Sequence, residues 1–263
     1  MAGVLSRHLD VDGLNNTRDL GGMQTKDGHV IKAGKLIRSG KLHVLKDTEW
    51  LKENVSLVVD FRSSNEVTDS PDPVPEGVEY LHIPIFEMRK SGVTRDKESD
   101  RGMVAMTPET ALERMAGVYV TFLTNDYSRS QFARFIHLLL EPREKAILWH
   151  CYAGKDRTGT AALFIQEILG VDKADILDDY MISHEYLAEE LREQIAERGR
   201  QTGSMDQTQE KIMRCFIDTH VEYPEIVYKT AQDNYGSFEN FIREGLGVTD
   251  EECETLRRMY LEA

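Results

Sequence analysis

Positions 150 to 159 read HCYAGKDRTG, a thiol, a lysine, an aspartate and an arginine within a few residues, with glycine at 154 and 159. Those types suit a phosphate. Successive backbone N–H groups in a strand-to-helix turn converge into an anion-binding nest, and the N-terminus of the following helix adds partial positive charge. Gly154 lets the chain turn tightly and approach a ligand. Arg157 offers a planar fork that matches two phosphate oxygens. A thiol facing this field is favoured as thiolate, the nucleophilic form. Cys151 and Arg157 together therefore read as a nucleophile and a transition-state clamp, without a metal or other cofactor, because phosphoryl transfer asks mainly for positioning and charge stabilisation. The plain alternative is a polar turn beside a buried cysteine.

Competing motifs fail on detail. A Walker A loop needs glycine at 149 and Ser or Thr at 156, where Trp149 and Asp156 stand. No GxGxxG dinucleotide fingerprint occurs. A cysteine-protease reading leaves Lys155 and Arg157 unexplained.

Elements with the right periodicity lie on either side. VSLVVDF (55–61), VEYLHIPI (78–85) and KAILWH (145–150) predict strands, the first of them buried and parallel. TGTAALFIQEILG (158–170) predicts a helix stopped by Gly170. Asn16 to Ser39 reads as turns and short strands, Asp47 to Asn54 as a short helix, and Pro71, Pro73 and Pro75 as a loop. Thr107-Pro108 opens a helix, and another follows Ser128 to Ser130, with Phe132, Phe135, Ile136 and Leu139 on one face. After Gly170 the pattern is helical almost to the end, with TDEE (249–252) as a capping box. This alternation predicts an α/β fold, a mainly parallel central sheet flanked by helices with a C-terminal helical cap, in one domain over 1–263. The polar stretch from Glu87 to Thr107, carrying Arg89, Lys90, Arg95, Lys97 and Arg101, reads equally as a basic lid and as a solvated loop.

The bulk numbers agree with a soluble enzyme. The chain has 263 residues, 40% hydrophobic and 30% charged, and a formal charge of −14 that speaks against nucleic-acid partners. No run is long enough to insert stably in a membrane, and no signal peptide is visible, so a cytoplasmic location is expected. Cys151, Cys215 and Cys253 are scattered and form no CxxC pair, so neither a disulfide framework nor a zinc site is expected.

At this point HCYAGKDRTG resembles the phosphate loop of protein tyrosine phosphatases. Its GKDR variant resembles the bacterial atypical dual-specificity group that also acts on phosphoinositides. The resemblance extends through NTRDLGG and DGHVIKAGKLIRSGKL in an N-terminal signature (14–45), VVDFRSSNEV with Phe61 for the usual leucine, ILDDYMISHEYL, and the helical tail (about 171–263). It implies a protein-tyrosine-phosphatase fold and a cysteine-dependent phosphatase forming a phosphocysteine. The implied substrates are phosphorylated proteins, at phosphotyrosine or phosphoserine/threonine, or inositol lipids. An inositol polyphosphate phosphatase of the same fold, and a non-catalytic phosphate-binding module, are the alternatives.

Residue by residue, the resemblance implies that Cys151 attacks phosphorus, Arg157 holds the phosphoryl oxygens, and the amides of Tyr152, Ala153, Gly154, Lys155, Asp156 and Arg157 cradle them. Thr158 hydrogen-bonds the sulfur. His150 supports the cysteine or is a satisfied core histidine. Lys155 adds charge for a multiply phosphorylated ring or is a solvated lysine. The general acid falls to Asp60, at a strand end facing the ligand crevice, or to Asp156 inside the loop, with Asp126 less favoured. Asp60 could instead pair with Arg18 or Arg62. Arg18, Asp19 and Arg38 are expected as buttresses.

Overall fold

The computed structural model describes residues 7–86, 106–203 and 205–262. Five strands, β1 (Arg18–Asp19), β2 (Leu36–Ser39), β3 (Val55–Asp60), β4 (Glu79–His82) and β5 (Ala146–His150), form one sheet in the order β1-β2-β5-β3-β4. Only the β1–β2 pairing is antiparallel; β2–β5, β5–β3 and β3–β4 run parallel. The mainly parallel sheet expected from the strand–helix alternation is therefore present, flanked by helices.

The strands are apolar on both faces because both faces are covered. Leu57, Val59, Ile147 and Trp149 enter the main core with the helices that follow, while Val58, Ala146 and Leu148 point to a second cluster closed by Leu42, Leu45 and Leu51. The main cluster continues without a break into the C-terminal helices through Tyr223, Val227, Phe241 and Leu256.

Helices follow in chain order: α1 (Glu49–Asn54), α2 (Ser64–Asp69), α3 (Pro108–Thr124), α4 (Asp126–Leu138), α5 (Asp156–Leu169), α6 (Lys173–Met181), α7 (Ser183–Thr202), α8 (Gln207–Ile217), α9 (Glu222–Tyr235), the short α10 (Phe238–Asn240) running into a π turn, and α11 (Asp250–Tyr260). Their boundaries follow local chemistry. Thr107 caps α3 with Pro108 next to it, Thr249 and Glu252 form the capping box of α11, and Gly170 ends α5 at φ 86°.

Some elements differ from expectation. Helix α4 starts at Asp126, two residues before Ser128, because the Asn125 side chain accepts the Ser128 N–H and caps it earlier. Strand β4 stops at His82, before Pro84, which has no N–H to give a ladder. Helix α2 was not anticipated at all. A capping box, Ser63 with Glu66, starts it shortly after β3 and ahead of the proline loop.

Strand register does the positioning. Ser39, His150, Asp60 and His82 lie side by side at the carboxyl ends of the four parallel strands. The loops that leave this row carry Gly40–Lys41, Cys151–Lys155 and Phe61–Ser63, the edge where ligands bind in open α/β sheets.

Candidate active site

The 151–155 loop leaves β5 and enters α5 at Asp156. Its carbonyls are turned outward and held there. Tyr152 O accepts from Lys41 N (2.9 Å), Ala153 O from Asn16 Nδ2 (3.0 Å) and Gly154 O from an Arg38 terminal nitrogen (3.0 Å). In a trans peptide the N–H points opposite to the preceding carbonyl. Fixing those carbonyls outward therefore aims the amides of Ala153, Gly154 and Lys155 to the other side, as an anion nest requires.

Gly154 has φ 69°, and a Cβ there would fall 2.6 Å from Ser39 O and 2.7 Å from Gly40 N. Only glycine fits between the loop and the end of β2. A Cβ at Gly159 would meet the Arg38 guanidinium and the Tyr180 ring at 3.1 Å, so the helix start is also packed tightly, though less so than Gly154.

Arg157 is buried in the first turn of α5, its fork gripped by Glu66 in two bonds, Nη1 to Oε2 at 2.8 Å and Nη2 to Oε1 at 3.1 Å. Glu66 also accepts from Ser63 N (2.8 Å), so the capping box of α2 fixes the carboxylate that fixes the arginine. Burial works against the Arg157 charge, yet Glu66, Cys151 and Asp156 outweigh it and raise its pKa above the ordinary value. For Glu66, burial pushes upward, but Arg157 wins and holds the carboxyl below its usual range.

A second ring of charges supports the loop from behind. Asp179 on α6 receives Arg7 (2.8 Å), Arg18 (3.1 Å) and Arg38 (2.6 Å), all buried. Burial would raise the Asp179 carboxyl; Arg18, Arg38 and Arg7 together hold it well below the carboxylate range. Arg18 is driven down to about 10 by burial and by Arg38, which still leaves it charged at neutral pH. The chain Asp179–Arg38–Gly154 O thus ties the C-terminal helices to the phosphate loop. Arg18 and Arg38 buttress the site as expected; Asp179 was not singled out from the sequence, although ILDDYMISHEYL contains it.

The remaining candidates fall into distinct places. Asp60 is fully buried and takes Arg62 N and Nε on Oδ1 (2.9 and 3.0 Å), and Arg62 Nη2 and the Tyr80 hydroxyl on Oδ2 (2.7 and 2.9 Å). Burial raises its pKa, but His150 and the Arg62 fork outweigh that and leave it well below the usual range. Its oxygens are so occupied that Asp60 stands in this structure as the partner of Arg62, one of the two pairings the sequence allows. Asp19 accepts from Gly21 N and Gly34 N and holds a turn, not the loop. Asp126 sits exposed in the first turn of α4, paired with Arg129 (2.5 Å).

Asp156 is buried at the start of α5, and its Oδ1 accepts from the Tyr119 hydroxyl (2.5 Å), itself bonded to the Tyr180 hydroxyl (2.6 Å). Its Oδ2 accepts no bond from the described residues. Lys155 is not a solvated lysine: it is fully buried, donating to Phe216 O in the last turn of α8 and to Asp218 O just beyond it (2.8 Å each), with Asp156 Oδ1 at 3.4 Å. Placed there, its ammonium belongs to the helix end and is not extended toward a second phosphate.

The Thr158 hydroxyl is buried with no hydrogen-bond partner among the described residues, so the expected bond to the sulfur is not made in this structure; Thr158 O accepts from Trp149 Nε1 (3.1 Å). His150 is buried against the Cys151 carbonyl, Nδ1 to O 3.1 Å. The basic stretch Arg89 to Arg101 lies outside the described residues.

Comparison with known proteins agrees with this geometry. The profile of the tyrosine phosphatase family matches residues 9–262. The chain belongs to the tyrosine phosphatase family. It is a phosphatase of the cysteine-dependent type that acts on phosphorylated substrates. A candidate tyrosine-protein phosphatase of Cupriavidus necator is 31% identical over 99% of this chain and 91% of its own. The triple specificity protein phosphatase PtpB of Mycobacterium tuberculosis is 25% identical, over 96% of this chain and 98% of PtpB. A tyrosine-protein phosphatase of Nostoc commune is 26% identical over 86% of this chain and 74% of its own. Among solved structures, P. aeruginosa TpbA is 16% identical over 77% of this chain and 90% of its own at a TM-score of 0.29, too distant to add to the sequence match. No helix among the described residues is long and apolar enough to cross a membrane.

Proposed function

We propose that the chain hydrolyses phosphomonoesters on proteins, phosphotyrosine above all, and extends to phosphoserine, phosphothreonine and phosphoinositides, with Cys151 as nucleophile. The observation that carries this reading is the pre-formed nest: three loop carbonyls pinned outward by Lys41, Asn16 and Arg38, with Arg157 gripped by Glu66 and Cys151 at the base. Breadth of substrate is supported by the similarity to PtpB, which is named for triple specificity.

In the first step the Cys151 thiolate attacks phosphorus; the S–P bond forms, the ester P–O bond breaks, and the Asp156 carboxyl gives its proton to the leaving oxygen. In the second, water attacks phosphorus, its proton passes to the Asp156 carboxylate, the S–P bond breaks, and phosphate leaves with the thiolate restored. Arg157 and the amides of the loop carry the charge of the equatorial oxygens in both. Asp156 takes the acid role because it stands at the loop with Oδ2 unclaimed by the described residues, whereas Asp60 is spent on Arg62 and Asp126 on Arg129. Thr158 is assigned to the departing sulfur.

A phosphate-release panel tests the substrate range: phosphotyrosine peptides, phosphoserine peptides, phosphoinositide vesicles and soluble inositol polyphosphates, with wild type and Cys151→Ser. Turnover of phosphotyrosine that Cys151→Ser abolishes supports the reading. Turnover confined to soluble inositol polyphosphates overturns the protein assignment.

A further inference from the structure

His150 touches the nucleophile's own carbonyl, and its other ring nitrogen faces acid. Nδ1 lies 3.1 Å from Cys151 O, an acceptor only, so Nδ1 carries a hydrogen. Nε2 lies 3.0 Å from Asp72 Oδ2 and 3.8 Å from Asp60 Oδ1, charge contacts that are not aligned as hydrogen bonds. A neutral ring would leave the two carboxylates beside it without that compensating charge in a site shut off from water. The imidazole, Asp60 and Asp72 side chains are all about fully buried, at 0%, 0% and 1% exposure.

The charges around the ring make the same demand. Asp60 and Asp72 both face Arg62, whose Nη2 donates to each at 2.7 Å. Two carboxylates against one guanidinium leave one negative charge over, and a proton on His150 balances it. Tyr80 donates its hydroxyl to Asp60, His82 Nε2 meets Arg62 O, and His43 stands near enough to feel both Arg62 and His150. Burial and Asp60 push the Tyr80 hydroxyl up, so it stays neutral, and burial pushes His43 down. One oxygen from each of Asp60 and Asp72 and one nitrogen of His150 come within 4.8 Å of one another, spacing that would suit a cation. The Arg62 fork already fills that place.

Asp72 is held for this task by the chain itself. It stands between Pro71 and Pro73, and a residue before proline is confined to extended backbone. The prolines that read from sequence as a simple loop breaker thus present one carboxylate to the back of the active-site strand.

We infer that Asp72 is a positioning residue of the phosphatase: it keeps His150 as a buried imidazolium whose Nδ1–H is permanently committed to the Cys151 carbonyl. The cation lies one residue from the thiolate and polarises the Cys151–Tyr152 peptide, which lowers the cost of the thiolate. In line with this, burial pushes His150 down, but Asp60 and Asp72 outweigh it and its pKa is raised. The inference rests on Cys151 being the nucleophile, and its test is separable from that reading.

The deciding measurement is the ring state of His150 by ¹⁵N spectroscopy on the full-length wild-type chain labelled at histidine, assigned with His150→Asn. Both ring nitrogens are expected to stay protonated past pH 8; a neutral ring at pH 7 overturns the inference. In Asp72→Asn, which is isosteric, His150 is expected to turn neutral, and the pH of half-maximal alkylation of Cys151 by iodoacetate to rise by about one unit. Asp72→Glu should restore part of the shift. A folded Asp72→Asn protein with an unchanged ring state and an unchanged alkylation midpoint also overturns it. If Asp72→Asn does not fold, the wild-type ring titration decides alone. A wild-type alkylation midpoint near that of an ordinary thiol, about 8.5, would instead sink the nucleophile reading and leave the His150 charge state standing.

Discussion

Glu66→Gln is the substitution that most directly probes how the arginine clamp is held. The wild-type carboxylate accepts three bonds, two from Arg157 and one from Ser63 N. Glutamine keeps one acceptor oxygen and replaces the other by an NH₂, which must face Arg157 alone at the Oε1 position or both Arg157 and Ser63 N–H at the Oε2 position, all of them donors. At least one charge-assisted bond is lost, worth about 1.5–3 kcal/mol, and the buried guanidinium loses its counter-charge. We expect a total cost of about 3 kcal/mol, within the range for breaking a buried pair. For a chain of this size that is a fall in Tm of roughly 6–12 °C. Arg157 also becomes free to leave its rotamer, so kcat/KM for an aryl phosphate should fall by about tenfold to a hundredfold, as about 1.4–2.8 kcal/mol of transition-state binding is lost. The pH dependence has a definite sign. Glu66 is depressed in the folded state, so its contribution is complete above the unfolded carboxylate pKa and disappears as pH falls through the lower folded value. Wild type minus Glu66→Gln stability should therefore be flat near neutrality and shrink only in acid. Scanning calorimetry from pH 7 down to 3, with steady-state kinetics at pH 6, makes the comparison. A variant with wild-type Tm and wild-type kcat/KM would refute the claim that Glu66 holds Arg157.

Asp156→Asn should cut turnover of a phosphoserine peptide by about 10²-fold or more while an activated aryl phosphate is nearly spared, because only the alkoxide needs the proton; equal loss on both would move the acid elsewhere. Asp179→Asn strands three buried arginines and should cost about 3–5 kcal/mol, read as a lower urea midpoint with m unchanged; an unaltered midpoint would remove Asp179 from the frame of the loop. Peroxide should inactivate through Cys151 before it touches Cys215 or Cys253, whose thiols burial pushes upward; oxidation of either helical cysteine first, by peptide mapping, would contradict this. Turnover should persist after exhaustive dialysis against EDTA, since Arg157 and the loop amides carry the phosphoryl charge themselves; loss restored by a divalent ion would exclude the mechanism.

What could be read from the sequence was local in the chain. HCYAGKDRTG packs its nucleophile, nest and clamp into one loop, and the apolar strand and helix around it are continuous runs, so loop, sheet and helix were all visible. Strand β3 and helix α5 were legible for the same reason. The partners that hold the loop are distant in sequence. Glu66 lies 91 positions from Arg157, and Asp179 lies 141 from Arg38. A local signal for Glu66 did exist: SSNE at 63–66 is a capping box, and reading it would have produced both helix α2 and the buried carboxylate. No such signal marked Asp179 or Asp72. The first looks like any acidic residue in an amphipathic helix, the second like any polar residue in a proline loop. Asp60 shows the reverse case. Its place at a strand end pointed to the ligand crevice, but Arg62, two residues on, folds back and takes both of its oxygens.

The account turns on a covalent bond between Cys151 and phosphorus, and rapid acid quench of the enzyme during turnover of a phosphotyrosine peptide, followed by mass spectrometry of the Cys151 peptide, tests it most directly. The phosphorylated Cys151 peptide should appear within the first turnover, build up further in Asp156→Asn during turnover of an activated aryl phosphate, and be absent in Cys151→Ser. Full turnover with no phosphate on Cys151 at any quench time, together with retained activity of Cys151→Ser, would contradict it.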